Sequence, residues 1–243
     1  MQSVSTLLEA RSIQMRFGAL VVLDQVDFVV CPGDAIGIVG PNGAGKTTLL
    51  NVLAGAYVPT VGSVAFRGRD VSPLGAADRC RLGIARSHQV PKPFNGMTVF
   101  ENVLTAATHG GGFAHSDAYD RAIDAIRLCG MLGVANRRAE TLGLLDRKRL
   151  ELVRALATDP AVLLLDEIGG GLTDGEASEL IGMIRLVRSR NVAIVWIEHL
   201  MHVLLQVVER LVCMAAGNVI AQGDPKAVLA DKAVVDAYLG GAQ

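Results

Sequence analysis

Residues 40–47 of the chain read G-P-N-G-A-G-K-T. This stretch fits the pattern G-x-x-x-x-G-K-[ST] at every fixed position. Glycines in such a loop let successive backbone N–H groups curl around an anion, and the N-terminus of a following helix adds its dipole. The stretch therefore predicts a phosphate-binding loop with a strand before it and a helix after it.

The flanking residues supply that strand and that helix. A short apolar strand is predicted over 35–39, and T-T-L-L-N-V-L-A-G at 47–55 has the composition of a helix. We therefore predict that the loop binds a nucleotide, with Lys46 reaching the β- and γ-phosphates and the Thr47 hydroxyl binding Mg²⁺. The predicted nucleotide contacts are Gly40, Pro41, Asn42, Gly43, Ala44, Gly45, Lys46, Thr47 and Thr48.

A second motif, A-V-L-L-L-D-E at 161–167, is an apolar strand that ends in two carboxylates. Proteins with such a phosphate-binding loop deliver an aspartate to the magnesium ion in this way, which gives Asp166 a metal-binding role through water. Glu167 is then placed to polarise the attacking water as a general base. The alternative is a strand end with two solvated acids, which the loop upstream makes the weaker interpretation.

Strands and helices alternate along the chain. Strands are predicted over 162–165 and 192–197, and helices over 174–190 and 200–208. Such alternation indicates a parallel sheet with helices on its faces.

Two other regions depart from that alternation. Residues 6–30 have the pattern of two or three strands, and a helical stretch over about 98–158 contains one break, H-G-G-G-F-A-H. We expect an α/β fold: a P-loop NTPase core with a mostly parallel sheet, an N-terminal antiparallel β subdomain and an inserted helical subdomain.

Composition excludes several classes of protein. The 243 residues are 51% hydrophobic, which indicates a globular and not a disordered chain. The net charge of −1 gives no support to bulk electrostatic binding of nucleic acid or anionic lipid. Four cysteines without a C-x-x-C pair argue against a zinc site or disulfide framework. Because no apolar run approaches about 18 residues, we expect a soluble chain that reaches a membrane only through a partner.

Together these motifs resemble the ATP-binding subunit of ABC transporters, and the resemblance covers nearly the whole chain. It implies a single domain over 1–243, with residues 1–90 and 160–243 as the catalytic α/β core and 91–159 as the helical subdomain.

The resemblance also gives roles to residues that are otherwise unremarkable. In R-S-H-Q, Gln89 stands where the family has a glutamine that touches Mg²⁺ and senses the transmembrane partner. In V-W-I-E-H, His199 matches the switch histidine that contacts the γ-phosphate. In M-R-F-G, Phe17 matches the aromatic residue that stacks on adenine.

Members of the family assemble with partner proteins, and the resemblance implies the same kinds of partner for this chain. It implies transmembrane permease subunits, a second ATP-binding subunit of the same or a related kind, and, indirectly, an external solute-binding protein, with no nucleic acid. The expected location is cytoplasmic, peripheral on the inner face of the cell membrane. Three stretches resemble the branched-chain amino-acid uptake type: G-M-T-V-F-E-N-V at 96–103, W-I-E-H-L-M at 196–201 and G-N-V-I-A-Q-G-D-P at 217–225. Transporters of amides or other small solutes share much of this sequence.

The chain departs from the family in its signature segment (residues 142–146), which reads L-G-L-L-D in place of L-S-G-G-Q. In the family this segment contacts the ATP of the other subunit. Gly143 keeps a backbone N–H for that phosphate but lacks the serine hydroxyl, and Asp146 is a candidate helix cap. In the basic run that follows, we expect Arg147 to pair with Glu151, Lys148 to be solvated and Arg149 to support the signature segment.

A second departure is D-E-I-G-G-G-L-T-D at 166–174. The glycine run predicts a more mobile loop, and Thr173 replaces an aspartate that in the family reaches across the dimer.

Two alternatives remain beside an ATPase that energises an importer of branched-chain or other small amino acids or amides. One is a slowly hydrolysing regulatory nucleotide-binding subunit. The other is a soluble non-transport ABC ATPase, which usually carries a coiled-coil insertion or a second ATPase domain that this length leaves no room for.

Overall fold

A computed structural model describes residues 6–239 of the chain. The strands are β1 (Leu8–Phe17), β2 (Leu20–Val30), β3 (Ala35–Val39), β4 (Val61–Phe66), β5 (Arg69–Asp70), β6 (Ile84–Arg86), β7 (Val162–Asp166), β8 (Ala193–Ile197), β9 (Arg210–Ala215) and β10 (Asn218–Gly223). The α-helices are α1 (Lys46–Ala54), α2 (Ala76–Leu82), α3 (Val99–Thr105), α4 (His115–Leu128), α5 (Leu144–Leu156), α6 (Asp174–Arg188), α7 (Met201–Leu204), α8 (Pro225–Ala230) and α9 (Lys232–Leu239).

The first sheet is antiparallel, with the order β2-β1-β4-β5 over the described residues. Along β1, buried Leu8 and Ala10 alternate with more exposed residues, as one covered face requires. The register shifts after Ala10, where Ser12 has φ of 48°, and this bulge returns Ile13 and Met15 to the buried face. The predicted N-terminal antiparallel β subdomain is confirmed.

The second sheet has the order β10-β9-β3-β8-β7-β6 within residues 6–239. Its neighbouring strands are parallel except for β10 and β9. Every residue of β3, β7 and β8 is buried, which is typical of parallel strands covered on both faces. The predicted α/β core with a mostly parallel sheet is therefore confirmed.

Three motifs meet at one edge of this sheet. Because β3, β8 and β7 are adjacent and parallel, their carboxyl ends lie side by side. The phosphate-binding loop follows β3, the acid pair stands at the end of β7, and His199 follows β8. Ligands of open α/β sheets bind at this edge, so the topology places the candidate site there.

The inserted helical region is more divided than the predicted stretch over 98–158 with one break. After α3 the chain makes a π-helical turn (Ala106–Gly110), and α4 begins only at His115. Short 3-10 turns at Leu132–Val134 and Ala139–Thr141 then lead to α5. Helices α3, α4 and α5 pack on one another, as an inserted helical subdomain requires.

Two other predicted helices are shorter than expected. Helix α6 ends at Arg188 because the chain then turns through Asn191, whose φ is 63°. The helix predicted over 200–208 is confined to α7, since the backbone N–H groups of Val207 and Val208 both donate to the Leu204 carbonyl in a turn that leads into β9.

The hydrophobic core lies on both faces of the second sheet. Along its strands, Leu163 and Trp196 face the helical side, while Leu164 and Val195 face α1 and the antiparallel sheet. In the described part of the chain, the cysteines are unpaired and no helix has the length and apolarity to span a bilayer.

Candidate nucleotide-binding site

The backbone of the loop after β3 forms the wall of a cleft. Gly40 has φ of 142°, and a Cβ at this position would lie 2.0 Å from the Met214 carbonyl oxygen, so the close approach requires glycine. The cleft has a volume of about 210 Å³. Its lining residues are Val22, Asn42, Gly43, Ala44, Gly45, Lys46, Thr47, Thr48 and Glu167.

Lys46 points back into its own loop. Its ammonium group is buried and donates to the carbonyl oxygens of Gly40 at 2.7 Å and Pro41 at 3.0 Å. Burial lowers the pKa of Lys46, and the carboxylates of Glu167 and Asp166 oppose that shift. All the predicted loop contacts are thus in one place, with Gly40 and Pro41 anchoring the lysine.

Asp166 stands between a cation and a hydroxyl. Its side chain is 2% exposed, and Oδ2 accepts from Arg86 at 2.8 Å while Oδ1 lies 3.4 Å from Thr47 Oγ1. Arg86 also contacts the side chain of Asn51 on α1. Arg86 was not predicted to belong to the site, because a single arginine at a strand end carries no distinguishing pattern.

The oxygen atoms at this point suit Mg²⁺. Thr47 and Asp166 supply a hydroxyl and a carboxylate, and proteins usually bind Mg²⁺ through one or two carboxylates together with substrate phosphates. Accordingly, residues 6–239 contain no cluster of three or more His, Cys, Asp or Glu side chains that would form an all-protein cage.

Glu167 lies between the other two predicted residues. Its Oε1 is 2.7 Å from His199 Nε2, and Gln89 Nε2 donates to its Oε2. Glu167 has φ of 47°, a conformation that is uncommon for a residue with a side chain. The structure therefore brings Gln89, Glu167 and His199 together beside the cleft, where Gln89 and His199 both contact the Glu167 carboxylate.

Residues 23–169, more than half of the chain, match the sequence model of the ABC transporter family. The chain belongs to this family. It is an ATP-hydrolysing ABC subunit, and the family binds nucleotide. A second match, to the branched-chain amino acid ATP-binding cassette transporter model, covers residues 218–243.

Individual ABC proteins match the chain over nearly its whole length. It is 35% identical to the high-affinity branched-chain amino acid transport ATP-binding protein LivG of Escherichia coli, over 96% of this chain and 98% of that protein. It is 33% identical to BraF of Pseudomonas aeruginosa, which has the same description, over the same shares. A solved ABC transporter ATP-binding cassette in its ADP conformation is 29% identical with a TM-score of 0.87, covering 97% of this chain and 99% of the other.

Phe17 lies at the end of β1, where its ring packs edge-on against Tyr57 with centroids 5.4 Å apart. The side chain is 45% exposed and is not among the residues that line the described cleft. Stacking on adenine stays a prediction for this ABC subunit.

The signature segment of this ABC subunit forms the N-terminus of α5. Gly143 is the N-cap residue, with φ of −67° and ψ of 174°, and a Cβ there would meet nothing within 4 Å among the described residues. Asp146 does not cap the helix as predicted, because it lies inside the first turn and accepts from Arg149 at 3.2 Å. Gly143 and Leu144 are exposed while Leu142 is buried, and no residue of the segment lines the chain's own cleft.

The basic run at 147–149 makes different contacts from those expected. Arg147 donates to the carbonyl oxygens of Leu142 and Glu140, each at 2.9 Å, and not to Glu151. Glu151 is buried and accepts instead from Arg154 and from the Lys92 backbone N–H.

The contacts of Arg149 are consistent with its predicted role, whereas those of Lys148 are not. Arg149 joins Asp146 of the first turn of α5 to Glu179 of α6, consistent with support for the signature segment. Lys148 was predicted to be solvated, which is wrong: it is 5% exposed and donates to the Ile168 carbonyl oxygen at 2.8 Å. Burial lowers its pKa, and Glu198 opposes that shift.

Thr173 has a local structural role. Its side chain accepts from the Glu176 backbone N–H, and the Glu176 carboxylate accepts from the Thr173 backbone N–H at 2.8 Å. This capping box fixes the start of α6.

Proposed function

We propose that the chain binds Mg²⁺-ATP in this cleft and hydrolyses it to drive an ABC importer of branched-chain or other small amino acids or amides. The observation that supports the catalytic assignment is the placement of Glu167, which lines the cleft and is held by His199 at 2.7 Å. A carboxylate so held is oriented to accept a proton from a water molecule that attacks the γ-phosphate.

Each neighbouring residue has a part in this reaction. Lys46 and the backbone N–H groups of the loop neutralise the phosphates, and His199 holds Glu167 or contacts the γ-phosphate. Thr47 and Asp166 hold the Mg²⁺, with Gln89 as the third candidate ligand. The metal, when bound, neutralises charge on the phosphate oxygens.

The outward position of Gly143 supports pairing with a second ATP-binding subunit. Because the signature segment does not line the chain's own cleft, its exposed N-terminus is available to a nucleotide held by another subunit. We propose head-to-tail pairing with a second copy or a related chain, bound to permease subunits at the inner face of the membrane. An external solute-binding protein takes part indirectly, and nucleic acid does not.

The solute assignment rests on the relatives. The relatives in Escherichia coli and Pseudomonas aeruginosa are both described as serving branched-chain amino acid transport, and the C-terminal match over 218–243 carries the same description.

The Glu167→Gln variant tests the catalytic proposal. It keeps the size of the side chain but removes the base, so ATP should still bind while phosphate release falls to background. If the wild-type chain, assayed with its co-purified membrane partners, hydrolyses ATP no faster than Glu167→Gln, the slowly hydrolysing regulatory subunit is the correct function. Recovery from detergent extracts without any integral-membrane partner would favour a non-transport ABC ATPase.

A further inference from the structure

One peptide group beside the cleft is held at both ends by charged side chains. It joins Ile168 to Gly169, one residue after Glu167. Its carbonyl oxygen accepts from Lys148 Nζ at 2.8 Å, and its N–H donates to Glu198 Oε2 at 2.9 Å. A cation at the oxygen and an anion at the N–H favour the same orientation of the peptide dipole, and charge-assisted hydrogen bonds are the stronger ones.

The two charges come from different elements, and both are buried. Lys148 belongs to α5 and is 5% exposed, while Glu198 follows β8 and is 2% exposed. Buried charges persist in proteins when they are paired or hydrogen-bonded, which both are here. Glu198 also accepts from the His199 backbone N–H at 3.1 Å, so one carboxylate fixes both the peptide and the backbone of the residue whose ring contacts Glu167.

Gly169 permits this arrangement. A Cβ at this position would lie 2.8 Å from Glu198 Oε2, which is closer than side-chain carbons approach. Because the φ of 47° at Glu167 is not a local preference, the surrounding structure must hold the backbone there. The loop that its glycines predicted to be mobile is therefore anchored immediately after Glu167.

We propose that Lys148 and Glu198 are positioning residues for ATP hydrolysis, which act by holding the 168–169 peptide and thereby the Glu167 carboxylate. Neither residue is among those that line the described cleft, so their effect passes through Glu167. Through Lys148 the same contact joins α5, which carries Gly143, to the hydrolytic carboxylate. This inference rests on the proposed role of Glu167 as the base.

The first test uses Lys148→Met in the full-length chain, because methionine keeps the apolar stem and removes the cation. We expect phosphate release from Mg²⁺-ATP to fall about tenfold or more, since small displacements of a catalytic group are costly. The dissociation constant of a fluorescent ATP analogue should stay within about twofold, because the loop that binds phosphate is unchanged. Lys148→Arg restores a cationic donor and should recover most of the rate.

Two glycines provide a matched pair for the other end of the peptide. Gly169→Ala should displace the Glu198 carboxylate and lower turnover as Lys148→Met does. Gly170→Ala is the control, since its Cβ would make only an ordinary contact of 3.6 Å with the Glu167 carbonyl oxygen. Glu198→Gln combined with Lys148→Met should lower the rate by less than the product of the single effects, because both act on one peptide.

The proposal is overturned if Lys148→Met and Gly169→Ala hydrolyse ATP as fast as Gly170→Ala. It is also overturned if nucleotide affinity falls in parallel with the rate, which would show a merely structural role. If thermal melting shows that Lys148→Met does not fold, the comparison of Gly169→Ala with Gly170→Ala decides whether the proposal stands. Wild-type activity in Glu167→Gln would contradict the proposed base, whereas an inactive Glu167→Gln beside a fully active Lys148→Met would contradict only the positioning role.

Discussion

At the scale of single residues, the ion pair between Arg86 and Asp166 sets the charge at the end of the cleft where we propose that Mg²⁺ binds. Asp166 is almost completely buried, and Arg86 neutralises one of its oxygens while the other lies near Thr47. Removing one partner of a buried pair leaves the other charge uncompensated. The arginine thus stabilises the aspartate before any nucleotide binds.

Arg86→Met should destabilise the nucleotide-free chain by about 3–5 kcal/mol, since Asp166 loses its partner. In this variant no arginine competes with bound Mg²⁺-ATP for the Asp166 carboxylate. Adding Mg²⁺-ATP should therefore raise the melting temperature of Arg86→Met by more than it raises that of the wild type. Calorimetry with and without Mg²⁺-ATP measures both effects.

A control for this variant is Arg81→Met, which breaks an exposed pair with Asp78. It should change the stability by less than about 1 kcal/mol. Equal gains from Mg²⁺-ATP in Arg86→Met and the wild type would show that Arg86 does not compete for the aspartate.

Sequence patterns reach some of these residues and not others. Lys46 and Thr47 stand at fixed spacings that phosphate binding requires, and the acid pair ends an apolar strand, so their meeting at one sheet edge could be predicted. Arg86 and Lys148 are single cations whose partners are chosen by tertiary packing. A run such as R-K-R is typical of a solvated surface, and its spacing does not show that one of the three faces a buried loop.

At the scale of elements, the N-terminus of α5 departs from the L-S-G-G-Q pattern that the resemblance predicts, with Gly143 in place of the serine. Gly143 is extended, and a Cβ there would meet no described atom within 4 Å. A serine therefore fits at the N-cap without strain, and it is among the preferred residues there.

Gly143→Ser should raise ATP hydrolysis by the paired subunits about tenfold, since one hydrogen bond to a charged group is worth about 1.5–3 kcal/mol. Gly143→Ala adds the Cβ without the hydroxyl and is the matched control. Steady-state phosphate release by the transporter complex measures both variants. Equal rates for the serine and alanine variants would mean that the signature segment binds phosphate through its backbone N–H groups alone.

The elements themselves could largely be predicted, and their ends could not. Buried parallel strands such as β3 and β7 are continuous apolar runs, which the sequence shows directly. The ends of α6 and α7 depend on where the backbone turns back toward the sheet, as at Asn191. The division between α3 and α4 falls at the predicted break H-G-G-G-F-A-H (109–115), whereas no residue pattern predicted the second division, between α4 and α5.

At the scale of the whole molecule, the segment at 90–97 carries exposed apolar side chains next to the site. It follows Gln89 and exposes Val90, Phe94 and Met97. Its inner side is fastened to α5, where Arg154 lies 4.7 Å from the centre of the Phe94 ring. An exposed apolar segment fixed on a helix suits docking of another protein, and the proposed permease is that partner.

Val90→Asp should therefore reduce co-purification with the permease subunits severalfold, because it places a charge in the proposed apolar contact. ATP binding by the isolated chain should be unchanged, since Val90 does not line the nucleotide cleft. Val58→Asp is the control, because Val58 is about equally exposed elsewhere on the molecule. Retention of the permease by Val90→Asp, or equal losses in both variants, would place the docking surface elsewhere.

The position of Lys46 has a consequence for the timing of the transport cycle. Its ammonium group rests on the carbonyl oxygens of Gly40 and Pro41, so an arriving nucleotide must exchange those bonds for its own phosphates. We therefore expect loading to include a step in which Lys46 exchanges these carbonyl oxygens for the phosphates, and this step should limit refilling at high nucleotide concentration, where collision is fast. When product leaves, the same two carbonyl oxygens should again accept hydrogen bonds from Lys46, so the loop is expected to return to the arrangement described here before the next turnover.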